Sequence, residues 1–358
     1  MLNVIHAADL HLDSPFSGLS PEQAAQRREE QRELPDRLAD LANERQADLV
    51  LLAGDLFDGA RCTRETVQRL TRALGRICAP VFIAPGNHDP YTPDSPYAQP
   101  VWPDNVHIFT SPIPQKVVLE ELGCTVYGGA FTREHPERGP LDDFCAREDG
   151  NLRFMVTHGN TLGEDYGRIT PAQIRACGLT YLALGHIHQC SGLQRTGDTF
   201  WAYPGCPEGR GFDETGDKGV LHVMLDGQGA QAQFLSLCRR RYEILDVDVT
   251  HAADLLACVE QALPAQTGDH LFRIRLTGQA ELAAAQLDRL AKTLSPRFYA
   301  LELQDHTRTP QRVWERAGED SLTGLFLSAM AQQPEGELRE LAVRFGLSAL
   351  EQGEDVSP

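Results

Sequence analysis

From residue 1 to about 237, short apolar or β-branched runs alternate with longer polar stretches that carry apolar residues at helical spacing, the layout of an α/β chain. The runs that read as strands are 2–7, 48–53, 81–84, 106–109, 117–119, 125–128, 152–157, 181–184, 199–202 and 219–225. Residues 21–45 read as helical, with Pro35 starting a second helix or kinking the first. Thr63 opens another helix, with Glu65 in its first turn and Leu70, Leu74 and Ile77 on its inner face. The later strands lie closer together, as in a more antiparallel region, and Asp226-Gly227 reads as a hairpin turn.

Beyond about 242 the pattern changes to strand 242–249, helix 252–262, strand 270–277, helix 281–294 and strand 298–303, a β-α-β-α-β unit suited to a small α+β domain. Residues 305–316, with Arg308, Pro310, Arg312 and Arg316, form a mildly basic connector to two short helices, 320–332 and 335–345, and an acidic end. The expected organisation is a large domain over 1–238, a small one over 239–305, and a linker with C-terminal helices over 306–358.

Composition narrows the function. The chain of 358 residues is 41% hydrophobic and 23% charged, and no apolar run approaches the roughly 20 residues of a membrane span. It opens without the basic start and apolar middle of a secretion signal, so cytoplasmic residence is the expectation. Nine scattered cysteines with no Cys-x-x-Cys pair read as reduced thiols. The formal charge of -18, with acids outnumbering bases on both sides of residue 239, lacks the basic footprint of a protein that grips nucleic acid alone. A polyanionic substrate therefore needs bound cations, a local basic strip or a basic partner.

Five polar islands follow strand runs: Asp9-Leu10-His11, Gly54-Asp55-Leu56-Phe57-Asp58, Gly86-Asn87-His88-Asp89, Thr157-His158-Gly159 and Gly185-His186-Ile187-His188. In an α/β sheet the carboxyl ends of strands share one rim, so the five can form one site. Imidazole, carboxylate and amide without thiolate suit manganese, iron or zinc, and a two-metal centre is the economical reading. Strand alternation lets Asp9 and His11 reach one ion, and the same spacing serves His186 and His188. Asp55 is the natural bridge between two ions, Asn87 offers a neutral carbonyl oxygen, His158 adds a nitrogen, and His88 points toward substrate. Asp58 supports a ligand histidine or starts a helix.

In this order the islands resemble the calcineurin-like metallophosphoesterase superfamily over about 1–225. Ala8-Asp9-Leu10-His11-Leu12, the Gly54–Asp58 island, Gly185-His186-Ile187-His188 and Tyr203-Pro204-Gly205 are similar to SbcD-type DNA repair exonucleases. Asp13-Ser14-Pro15-Phe16 and Gly209-Arg210-Gly211-Phe212 suggest the YhaO-like branch. The resemblance implies a sandwich of mixed β-sheets flanked by helices, a small capping domain and partner-binding C-terminal helices. It implies one metal on Asp9, His11, Asp55 and His188, a second on Asp55, Asn87, His158 and His186, and His88 as the catalytic residue. Manganese-dependent cleavage of DNA from 3′ ends, a homodimer and an SbcC-like coiled-coil ATPase partner follow from the same likeness. Cys206 stands where relatives more often have serine or asparagine.

Several features stay open on the residues alone. Arg210 meets a substrate phosphate or is a solvated loop arginine. Arg239-Arg240-Arg241 reads as a solvated turn in preference to a DNA contact, and the apolar stripe Leu322, Leu325, Phe326, Ala329 and Met330 as a partner surface in preference to ordinary packing. The histidines at 6, 107, 135, 222, 251, 270 and 306 are assigned to surface or core. The leading function is a two-metal DNA exonuclease, with endonuclease activity a further possibility; the alternatives are a phosphodiesterase or phosphatase for small phosphate esters and a metal-free scaffold.

Overall fold

The computed structural model describes residues 1–59, 62–163, 165–226 and 228–352 and divides into two compact units, 1–241 and 242–358. In the first unit the strands are β1 (Leu2–Ala7), β2 (Leu49–Leu52), β3 (Val81–Ile83), β4 (Val106–Ile108), β5 (Gln115–Leu119), β6 (Cys124–Gly128), β7 (Leu152–His158), β8 (Tyr181–Gly185), β9 (Gln194–Thr196), β10 (Thr199–Ala202), β11 (Gly219–Leu225) and β12 (Ala230–Ser236). They form two six-stranded sheets, ordered β12-β11-β1-β2-β3-β4 and β5-β6-β7-β8-β10-β9. The helices are α1 (Pro21–Arg32), α2 (Leu34–Glu44), α3 (Arg64–Leu74) and α4 (Pro171–Ala176). This is the expected mixed α/β sandwich flanked by helices.

Strand alternation decides which face each side chain enters. Along β2, Leu49 and Leu51 join Val4, Phe82, Phe109, Val126, Phe154, Val156, Tyr181 and Val223 in one core, which draws on both sheets. Val50 and Leu52 instead join Leu38 of α2 and Val67, Leu70 and Leu74 of α3. On the second sheet, Met155, Leu182 and Leu184 pack with Ile174 of α4. A strand of this kind is apolar throughout because both its faces are covered.

Some expectations change. The later strands are less antiparallel than their close spacing suggests: β6-β7-β8-β10 are parallel, and antiparallel pairing is confined to β5-β6, β9-β10 and β1-β11-β12. Strands β9 and β12 and helix α4 lie outside the predicted set; β9 is three residues long, and β12 begins on small and amide residues that alternate half-buried and exposed before Phe234 and the buried Leu235. Pro35 falls in the first turn of α2, where its missing N–H costs nothing. Gly227 of the predicted Asp226-Gly227 turn lies outside the described residues, as do residues 353–358 of the acidic end.

The Arg239-Arg240-Arg241 run is not a solvated turn. Arg240 is buried and holds Glu30 at 2.7 Å, while Arg239 pairs with Glu33 at 2.9 Å and Arg241 with Asp217 at 3.3 Å. Glu30 also pairs with the fully buried Arg27, which reaches Glu208 at 2.8 Å. Buried charges persist only when paired in this way.

The second unit begins with β13 (Tyr242–Asp248), α5 (Leu255–Ala262), β14 (Leu271–Thr277), α6 (Ala284–Leu294) and β15 (Ala300–Asp305), whose strands form a parallel sheet in that order. Helices α7 (Gln311–Glu315), α8 (Leu322–Ala331) and α9 (Glu337–Gln352) follow and share a small core of Val313, Leu327, Val343 and Leu347. Within the predicted stripe, Phe326 and Met330 pack against that core, whereas Leu322 and Leu325 remain exposed.

Candidate metal centre

The site forms where β1, β2, β7 and β8 end. Beyond β1 the backbone does not continue as a strand: Asp9 and His11 have φ of 55° and 45°, Asp55 has 52° and His186 has 112°. Strand alternation is therefore not what brings Asp9 to His11 or His186 to His188. Left-handed turns just past the strand ends aim these side chains, and such backbone in non-glycine residues concentrates at functional sites. Gly54 has φ +86°, and a Cβ there would lie 2.5 Å from His158 Nδ1; a Cβ on Gly86 would lie 2.2 Å from Asp55 Oδ1. Close backbone approach at these two points makes room for the cluster.

Asp55 stands at the centre. Its Oδ2 is 3.8 Å from His11 Nε2 and 3.4 Å from His158 Nε2, and its Oδ1 accepts from the His88 amide at 2.9 Å. Asp9, His11 and His188 bring ligand atoms together, as do Asp9, Asp55 and His158. His186 joins ring to ring with His158 at 5.2 Å, and its amide donates to the Asp9 carboxylate at 3.0 Å. Asn87 Oδ1 lies 2.9 Å from His158 Nε2. All seven predicted ligand residues are thus gathered, and His88 and Asp58 adjoin them: the His88 ring stands 4.8 Å from that of His11.

Two contacts test whether cations fit. His188 Nδ1 donates to Glu214 at 2.6 Å, so its Nε2 presents a lone pair to His11 Nε2 at 3.1 Å. His158 Nδ1 donates to the Ala53 carbonyl at 2.9 Å, which leaves its Nε2, 2.9 Å from the Asn87 oxygen, as the nitrogen that faces the site. Either pair can close on a proton, from His11 Nε2 or from the His158 imidazolium; what fits a cation is the placement of the ligand atoms, since those of Asp9, His11 and His188, and those of Asp9, Asp55 and His158, lie within 4.8 Å of one another. The donor set, oxygen and imidazole nitrogen, fits divalent cations such as manganese or zinc.

Electrostatics agree. Burial raises the Asp9 pKa, with the Asp55 charge adding to it. Burial would raise Asp55 as well, but His158 and His11 hold its carboxyl well below the usual range. Burial opposes the His158 imidazolium, yet Asp55 and Asp9 raise its pKa to about 9; burial and the neighbouring His158 lower His186 to about 4.

The surrounding residues bear on two open readings and add others. Asp58 does not start a helix, since α3 is capped by Thr63; it lies 3.3 Å from His11 Nδ1 and 3.4 Å from His88 Nδ1. Arg210 is not a solvated loop arginine: it pairs with Glu214 at 2.9 Å and lies 3.6 Å from Asp58. Cys206 is buried, with Sγ 3.7 Å from the His188 carbonyl. Glu214 was not foreseen, because it sits 26 residues past His188 in a loop with no motif of its own. Asp89 accepts from the amides of Asp55, Leu56, Phe57 and Gly86 and from the Tyr97 hydroxyl, tying two ligand loops together. Burial and the Asp55 charge push its pKa up to about 7, against which the five donors favour the carboxylate.

The chain belongs to the calcineurin-like phosphoesterase family, whose profile matches residues 2–190. It is 32% identical over 273 residues to the uncharacterized metallophosphoesterase YhaO of Bacillus subtilis, covering 72% of this chain and 65% of that protein. It is 24% identical over 282 residues to the DNA double-strand break repair protein Mre11 of Aeropyrum pernix, covering 74% of this chain and 68% of the relative. Against the SbcD component of the nuclease SbcCD of Bacillus subtilis the identity is 23% over 258 residues, covering 60% and 64%. The matches thus span about two thirds of the relatives' lengths. The protein is a metallophosphoesterase, of a family that uses divalent metals, and no helix among the described residues is long and apolar enough to cross a membrane.

Proposed function

We propose that this metallophosphoesterase is a manganese-dependent DNA nuclease, chiefly an exonuclease, that hydrolyses phosphodiester bonds as the nuclease subunit of an SbcCD-like repair complex. The observation that carries the reading is the gathering of ligand atoms about Asp55, with Asp9, His11 and His188 in one cluster, Asp9, Asp55 and His158 in another, and the Asn87 oxygen 2.9 Å from His158 Nε2. Asp9, His11, Asp55 and His188 would hold one cation, and Asp55, Asn87, His158 and His186 the other. Bound there, the cations supply Lewis acidity toward the phosphoryl oxygens and a nucleophile at neutral pH.

The chain's own groups do the rest. His88, with a side chain 47% exposed, is the titratable group at the mouth; the Asp58 carboxylate raises its pKa and keeps a proton available for the leaving oxygen. Arg210 stands close enough to Asp58 to meet a second phosphate of the strand while Glu214 fixes its direction. DNA as substrate is supported by the names of the Mre11 and SbcCD relatives. A coiled-coil ATPase partner is supported by the second name and by the apolar side chains left exposed on α8 and α9, Leu322, Leu325, Leu338 and Phe345. Such a partner would supply the basic grip that a chain of charge -18 lacks.

That charge, together with the carboxylate pairing of Arg239, Arg240 and Arg241, favours a second reading, a phosphodiesterase or phosphatase for small esters. The two part in one assay: manganese-dependent hydrolysis of linear DNA against that of a nucleotide or phosphate monoester, with and without an SbcC-like ATPase. Turnover of the small ester with intact DNA in every mixture ends the nuclease reading.

A further inference from the structure

Three aromatic rings run outward from the metal centre. His186 faces Tyr166 at 5.3 Å between centroids and 38° between planes, and Tyr166 faces His135 at 4.9 Å and 34°. The inner ring belongs to the proposed ligand set, and the outer one is 67% exposed at its side chain, with the Glu134 carboxylate 3.9 Å away. The row therefore leads from the cleavage centre to solvent.

The middle ring is held on a firm root. Its loop leaves β7 and closes through the Asn160 amide to the Gly167 carbonyl at 3.1 Å and the Ile169 amide to the Asn160 carbonyl at 2.8 Å. Gly167, at φ +73°, lies so close to Phe131 that a Cβ would meet the ring at 2.8 Å, and Phe131 itself stands edge-on to His158 at 5.4 Å. Tyr166 has φ of 58°, backbone that a tyrosine adopts only when its surroundings enforce it. A loop anchored to the proposed ligand cluster thus spends strain on presenting one aromatic ring beside it.

An aromatic ring next to a phosphodiester-cleaving centre suits one part of a nucleotide, the flat face of its base. Bases inside a duplex already stack on both sides, and a terminal pair offers only an outer face fixed across the helix axis, so an unpaired base, free to turn, is the one that suits the ring. We propose that Tyr166 is a stacking platform for an unpaired nucleobase adjoining the scissile phosphate, with exposed His135 yielding its place against the Tyr166 ring to the base. The proposal rests on the nuclease reading and adds a substrate class to it: single-stranded or frayed ends bind in preference to closed duplex.

The test uses the full chain and a single-stranded oligonucleotide with 2-aminopurine at its end, titrated in EDTA and followed by fluorescence quenching, beside the same strand with an abasic end in a competition titration. Stacking on an aromatic ring predicts that the wild type prefers the base-bearing strand by on the order of ten- to a hundredfold. Tyr166→Ala should abolish both the preference and the quenching, and Tyr166→Phe should keep them. Metal content of Tyr166→Ala, loaded with manganese, should match the wild type, which separates a substrate role from one of seating His186. Equal affinity of the wild type for the two strands, or a preference that survives Tyr166→Ala, overturns the platform. If the strands are bound alike yet cut in manganese, the platform alone has failed; if they are neither bound nor cut, the nuclease reading has failed with it.

Discussion

The two halves of the metal centre hold their imidazoles by different means. In the half containing His11 and His188, carboxylates stand behind the rings: Glu214 on His188 Nδ1 at 2.6 Å and Asp58 near His11 Nδ1 at 3.3 Å. In the other half, His158 Nδ1 meets a backbone carbonyl, His186 meets the His158 ring edge to face, and Asn87 brings no charge. A carbonyl fixes tautomer and direction; a carboxylate also makes the opposite nitrogen a stronger donor. The first half should therefore grip a cation more tightly than the second, while Asp55 serves both.

The largest blow to that difference is Asp55→Asn, which removes the shared charge. Metal analysis should find both cations lost, and hydrolysis of a phosphate ester should fall by on the order of a thousandfold; retention of two cations would refute the bridging role. His88→Ala belongs to neither half, so it should keep both metals while turnover drops about 10²- to 10³-fold. Loss of metal in that variant would mean that His88 is a ligand.

The halves should also part in their response to pH when the metal-free protein is melted in EDTA. His158 has its pKa raised from 6.5 to about 9, so the folded state holds that proton more tightly than the unfolded chain. Its contribution is complete below pH 6.5 and is lost as pH rises toward 9, on the order of 3 kcal/mol in total. Burial would raise Asp58 and Glu214, but His11 and His88 around the first, and His188 and Arg210 around the second, hold both well below the usual range. Their contribution is present above about pH 4 and fades as pH falls. Urea titrations across this range should find the alkaline arm flattened by His158→Gln, with the acid arm altered only through Asp55, whose carboxyl His158 helps to hold low; an unaltered alkaline arm would contradict the assignment. The smallest effect is expected from Glu214→Gln, about 10- to 100-fold in affinity for one cation only. Calorimetry that found both sites equally weakened would erase the distinction between the halves.

The ligand islands were readable because each lies within a few residues of an apolar strand, where period and punctuation are strongest. What supports them was not. Glu214 meets His188 only through a loop closure, and Tyr166 and His135 come from different loops, so no spacing joins them. Arg240 looked solvated because its partner Glu30 lies 210 residues earlier. The left-handed turns at Asp9 and His11 escaped because the usual marker of such backbone, glycine, is excluded by the need for a side chain. Strand direction in the second sheet was misjudged for a related reason: short connections suggest hairpins, whereas parallel β8 and β10 are linked through β9, which pairs antiparallel with β10.

Asp9, His11, Asp55 and His186 adopt backbone that glycine would accept without cost and that costs other residues about 1–2 kcal/mol apiece. At most loops that strain can be relieved by one substitution. Here relief and ligation compete for the same four positions, so neither drift nor engineering can relax the rim and keep its chemistry. Attempts to make this protein more heat-resistant should leave the rim alone and look to exposed helix positions, where gains do not come out of catalysis.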